Sequence, residues 1–179
     1  MGIKSIRRGQ LVTPFGVGAL SVTNDGVSLV TAGLDHWFDS DSEKIDLAEF
    51  KIKEPRLQKS LQVNHFRLPP DFRTSHNQFQ KKGAKNFYLE VPAFRFPTYH
   101  ICPSCQYLQK SYLNTQQKMY CDRCSQDGGK KYRKNVLLNQ VQFIVICKKG
   151  HMADFPWREW VHKGVHGCIK NLKLVASSS

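Results

Sequence analysis

Two Cys-x2-Cys pairs, Cys102-Pro103-Ser104-Cys105 and Cys121-Asp122-Arg123-Cys124, constrain this chain more than any other feature. The fifteen residues from Gln106 to Tyr120 separate them, the interval expected of a four-thiolate zinc site. Each pair sits on a tight turn that can aim two sulfurs at one point. Four thiolates around Zn²⁺ form a closed tetrahedron with no position left for water, so such a site organises backbone and catalyses nothing. The alternatives are two disulfides or four free buried thiols. No apolar run follows the basic stretch Met1 to Arg8, so no secretory leader is expected. A cytoplasmic chain is expected to keep its thiols reduced and available to metal. The longest apolar run, Val141–Cys147, is interrupted by Gln142 and is far too short to span a bilayer.

The formal net charge of +13 is unevenly spread. Residues 1–60 hold eight Lys and Arg against eight Asp and Glu, whereas residues 61–179 hold nineteen against six. A field of this size steers a protein toward polyanions whether or not it reads their sequence. The alternatives are a solvated basic face or a surface that docks an acidic protein. The densest cluster follows the second cysteine pair: Gly128-Gly129-Lys130-Lys131-Tyr132-Arg133-Lys134. Flexible backbone beside cations and an aromatic suits phosphate contact with base stacking. Lys148 and Lys149 extend the candidate nucleic-acid surface.

Along the chain, Gln10 to Leu20 (QLVTPFGVGAL) reads as a turn feeding a strand, and Ala19–Val30 as a hairpin around Asn24-Asp25-Gly26. Gly16-Val17-Gly18 lacks the lysine of a phosphate loop and reads as a turn or close backbone contact. Asp39-Ser40-Asp41-Ser42-Glu43 is a candidate N-cap for a helix over Ile45–Phe50. Phe66 to Arg73 is Pro-rich and extended, and Phe87 to Phe96 reads as an edge strand entering the first cysteine turn. Val136–Cys147 reads as one long strand. With 40% hydrophobic residues the chain can bury a core. The expected fold class is α+β. A β-rich N-terminal segment (1–95) is followed by a zinc-ribbon-like module (96–146) and a short C-terminal helical segment (147–179).

A second constellation comprises Cys147, His151, His162, His166 and Cys168. Thiolate and imidazole suit a second zinc site. A structural His151 with Cys147 and Cys168 as small buried hydrophobes is the alternative. Asp154 reads as the N-cap of a helix with Pro156 in its first turn, and Trp157, Trp160 and Val161 share one face of it. Cys147 with His151, or His151 with Asp154, could pair as nucleophile and base, but neither pair comes with an oxyanion donor. No enzymatic activity is expected of this chain.

Several blocks together resemble a known family. QLVTPFGVGAL with Gly33-Leu34-Asp35-His36-Trp37, FRLPPDFR, VPAFRFPTYHICPSC and CKKGHMADFPWREWVH are similar to the DrmB-like family of the bacterial DISARM anti-phage defence system, a helicase-associated family. The resemblance runs from about Arg7 to about Val175. It implies DNA binding and partnership with a DrmA-like superfamily 2 helicase that carries the ATPase motor. Members are much longer than 179 residues. The resemblance therefore implies a fragment, a truncated homologue, or a split subunit whose C-terminal half lies on a second chain.

These readings converge on a Zn²⁺-stabilised, DNA-binding accessory subunit of a helicase in antiviral defence. A structural scaffold docking an acidic partner without DNA contact is the alternative, and a hydrolase or nuclease the second alternative.

Overall fold

The computed structural model describes residues 8–12, 14–38, 45–71, 85–126, 135–164, 167–168 and 170–175. The chain divides into two compact units. One comprises Met1–Ser21 and Val30–Ala93, the other Val22–Leu29 and Phe94–Ser179. Helices and antiparallel strands are mixed throughout, as expected of an α+β chain. None of the described helices is long and apolar enough to cross a membrane.

In the first unit, helix α1 (Arg8–Val12) precedes the turn that the glycines predict. A Cβ on Gly16 would stand 3.0 Å from the Leu11 carbonyl oxygen, and Gly18 has φ +77°. Both glycines therefore serve the backbone of the turn. The expected hairpin forms from β1 (Leu20–Val22) and β2 (Ser28–Thr31), with its tip, Val22–Leu29, counted in the second unit. Thr31 N bonds to Ala19 O at 3.1 Å near its base, and Thr23 N to Val27 O at 2.8 Å near its tip. Residues 45–50 form a 3-10 turn, Leu47–Phe50, in place of the expected α-helix. Its cap is Asp46, whose carboxylate accepts from Ala48 N at 3.0 Å; residues 39–44 lie outside the described residues. Strands β3 (Lys51–Ile52) and β4 (Phe66–Arg67) pair antiparallel around helix α2 (Pro55–Leu61).

Ile45, Phe50 and Leu89 form the core of this unit, with Phe38 and Leu68 packed against them. The buried Asn86 clamps Asp46, accepting from its N at 2.8 Å and donating to its O at 3.0 Å. Arg8 holds the other side. It donates to Pro69 O at 3.0 Å and to Asp71 Oδ1 at 2.8 Å, and its guanidinium lies 5.3 Å from the centre of the Phe50 ring.

The second unit is built on a sheet ordered β7-β6-β8. Of the edge strand expected over residues 87–96, only β5 (Ala93–Arg95) is a strand. It leads into β6 (Tyr99–Ile101), which pairs with β7 (Leu108–Lys110) and β8 (Asn139–Gln140). Helix α3 (Asp122–Gln126) lies between β7 and β8 in sequence. The long strand expected over Val136–Cys147 is two strands. β8 pairs with β6, whereas β9 (Ile144–Ile146) pairs with β10 (Met152–Asp154) in a separate hairpin. A run of β-forming residues does not record this change of partner.

Helix α4 (Trp157–His162) follows β10, and Asp154 is not its cap: the N-cap is Pro156, with no side-chain hydrogen bond. The Asp154 carboxylate instead accepts from Thr98 N at 2.7 Å and from the Thr98 hydroxyl. Thr98 offers the carboxylate two donors, its N–H and its hydroxyl, and bonds to a carboxylate are charge-assisted. Phe155 contacts Trp157 and Trp160, with ring centroids 4.6 and 5.6 Å away.

Candidate metal centre and nucleic-acid surface

The first cysteine turn grows from the end of β6. Cys102 N bonds to Tyr107 O at 3.0 Å and Gln106 N to Cys102 O at 2.9 Å. Gln106 takes a left-handed φ of 63° to close the loop. The second turn runs straight into α3: Cys121 N bonds to Val136 O at 2.9 Å and Ser125 N to Cys121 O at 3.1 Å. In both turns the N–H of the later cysteine points at the sulfur of the earlier one. Cys105 N lies 3.5 Å from Cys102 Sγ and Cys124 N 3.5 Å from Cys121 Sγ. Two different elements thus present one local geometry.

These turns bring the four sulfurs within 4.8 Å of one another. Cys102 and Cys124 are 3.8 Å apart, Cys105 and Cys121 3.6 Å. None of the four is in a disulfide. A Zn–S bond of about 2.3 Å gives a tetrahedral sulfur–sulfur edge of about 3.8 Å. The donor set and its spacing therefore fit zinc. Cys102 and Cys121 are fully buried and pack with Leu138, Met119 and Val136.

The thiols are electrostatically unequal. Burial pushes the Cys102 thiol up, but N–H groups of Cys105 and Ser104 and neighbouring thiols outweigh it and bring Cys102 down to about 7. Burial, reinforced by the other cysteines, pushes Cys124 up to about 12. Burial also raises Cys121. Four thiolates cannot coexist here near neutrality without a cation, because each added charge repels the next.

Lys130, Lys131, Tyr132, Arg133 and Lys134 lie outside the described residues. Lys148 and Lys149 are exposed on the β9–β10 turn. A cationic cluster that the sequence reading missed stands beside the cysteines. The Arg123 guanidinium lies 4.1 Å from the centre of the Tyr107 ring, and Lys173 Nζ lies 4.8 Å from the same point. The segment carrying Lys173 is laid along β7, with Leu108 N bonding to Leu172 O at 2.9 Å and Leu174 N to Gln106 O at 3.0 Å. A cleft of about 480 Å³ opens here, lined by Tyr107, Gln109, Asp122, Arg123 and Asn171 among others. Gln109 Nε2 donates to Asp122 at 2.6 Å, while its buried Oε1 has no partner among the described residues. Lys110 and Arg158 line an adjoining cleft of about 340 Å³. The available signal was Arg123 inside one Cys-x2-Cys pair and Tyr107 two residues past the other.

Of the second constellation, Cys147 and His151 are brought together, with Sγ 3.4 Å from Nδ1. His162 ends α4, and the Cys168 carbonyl accepts from Arg158 at 2.8 Å. His166 lies outside the described residues. Among the described residues, the four cysteines are the only group of three or more ligating side chains within reach of one ion.

The family model of DUF8724, a domain of unknown function, matches residues 7–179. A curated relative, DISARM protein DrmB of Bacillus paralicheniformis, is 28% identical over 145 residues, covering 75% of this chain and 20% of that protein. The chain thus spans about one fifth of the length of that relative.

Proposed function

Because this chain belongs to the DUF8724 family, we propose that it is a zinc-stabilised, DNA-binding accessory element of an anti-phage defence complex. Similarity to DISARM protein DrmB supports the defence role. We propose further that its partner is a DrmA-like superfamily 2 helicase that carries the ATPase motor, and that the complex works in the cytoplasm. A second chain carrying further DrmB-like sequence belongs to the same proposal.

The observation that carries DNA binding is the stack of Arg123 and Lys173 on Tyr107 at the lip of the cysteine site. Zinc fixes both cysteine turns, and these turns hold Arg123 and the neighbour of Tyr107. A cationic, aromatic surface on rigid backbone can hold phosphates and offer a guanidinium plane to an unstacked base. Lys110 and Arg158 prolong it along β7, Lys148 and Lys149 add cations on the β9–β10 turn, and the proposal also takes in Lys130, Lys131, Tyr132, Arg133 and Lys134 from the sequence.

Fluorescence anisotropy against single-stranded and duplex DNA at several salt concentrations tests the reading. Affinity is expected to fall steeply with salt, because neutralised phosphates release counterions. Arg123→Ala and Lys173→Ala should each reduce the logarithmic salt slope by about one, with zinc content unchanged. Salt-independent binding would remove the proposal.

One observation favours docking of a protein instead. Phe143, Ile146, Trp160 and Val161, on and around the β9–β10 hairpin and α4, are between 57 and 71% exposed. Complex formation with a purified helicase partner in the absence of DNA, together with no DNA binding by the chain alone, would decide for that reading.

A further inference from the structure

The turn joining β9 to β10 copies the first cysteine turn. Gly150 N bonds to Cys147 O at 2.9 Å and Cys147 N to His151 O at 3.0 Å, with Gly150 at φ 84°. The lock on Cys102 uses the same two bonds and the same left-handed residue in a loop one residue longer. Both turns leave an antiparallel strand and both aim two donor atoms at one point. Here the donors are Cys147 Sγ and His151 Nδ1, 3.4 Å apart. With Zn–S of about 2.3 Å and Zn–N of about 2.05 Å, a tetrahedral thiolate–imidazole edge is about 3.6 Å.

The element that follows carries further donors. His162 Nε2 is buried and has no hydrogen-bond partner among the described residues. A buried imidazole nitrogen in that condition loses its hydration without compensation. Arg158, one turn earlier on α4, donates to the carbonyls of Cys168 and Lys170 at 2.8 and 3.2 Å. These bonds fold the segment bearing Cys168 back onto the helix that bears His162.

We propose that Cys147, His151, His162 and Cys168 ligate a second zinc ion. Cys147 and His151 are its preformed arm, and His162 and Cys168 close on the ion when it binds. Two thiolates and two neutral imidazoles balance the charge of Zn²⁺ and disfavour hard cations such as Mg²⁺ or Ca²⁺. The site is structural: it pins the hairpin and its exposed aromatic neighbours to α4. It stands independently of any DNA contact.

Zinc counting on the full chain, by elemental mass spectrometry and native mass spectrometry, tests the proposal. Two equivalents are expected in the wild type. One is expected in Cys147→Ser, in His151→Asn and in Cys168→Ser, and one also in Cys102→Ser, where the ion lost is that of the four-cysteine site. Cobalt substitution separates the two sites. His151→Asn should remove the absorption of a two-sulfur, two-nitrogen site and keep that of the four-sulfur site, and Cys102→Ser should do the reverse. His151 is exposed, so its variant reads the site even where a cysteine variant fails to fold. One equivalent in the wild type, or two retained in His151→Asn, overturns the proposal. Loss of that single equivalent in Cys102→Ser would assign it to the four-cysteine site and so leave that reading standing.

Discussion

The two units solve one problem by different chemistry. In the first, Phe50, Ile45 and Leu89 exclude water, and the buried Asn86 is satisfied by the backbone N–H and C=O of Asp46. In the second, the buried centre beside the sheet is Cys102, Cys121 and Leu138. Two thiols replace the large apolar side chains there. A small module that lacks apolar volume gains its stability from ligand bonds that need a metal to exist. If zinc occupies the four cysteines as proposed, the first unit depends on shape, and the second on the composition of the solution around it.

Chelation should expose this difference most sharply. A structural zinc contributes on the order of 10 kcal/mol near neutral pH. Removing it should abolish hydrogen-exchange protection around β6, β7 and α3 while leaving protection around Phe50 and Leu68. Simultaneous collapse of both units would break the contrast. Reloading should release at least two protons at neutral pH, since burial holds Cys121 and Cys124 protonated. The sign follows: falling pH adds protons that compete with the metal, so affinity must fall with acidification. Calorimetry in buffers of different ionisation enthalpy measures the number.

Phe50→Ala supplies the reciprocal test. Loss of a fully buried ring should cost about 3–5 kcal/mol, and the first unit should melt early with zinc still bound to the second. Metal loss in this variant would show that the contrast fails.

A smaller effect is expected of Asp154→Ala, which strips the acceptor from Thr98 N and its hydroxyl. Leaving these donors unmatched should cost about 1–3 kcal/mol. It should loosen the β9–β10 hairpin relative to β6 and leave the four-cysteine zinc in place. Exchange rates at Thr98 and Ala153 measure it.

The sequence by itself determined the four-cysteine cluster, because each Cys-x2-Cys arm is a local turn whose geometry needs only its own few residues. It also determined the hairpin around Gly26 and the turn at Gly16, where a side chain would meet backbone. Tertiary structure alone decided what the flanking residues do. Asp154 left its expected cap for Thr98, fifty-six residues away. Val136–Cys147 broke in two because its halves had different partners. Tyr107 met Lys173 only when the chain returned to lie along β7. Local spacing fixes what a turn can hold. Which distant group a carboxylate, a strand or a ring will meet depends on closing long loops, and no short pattern of residues records that choice.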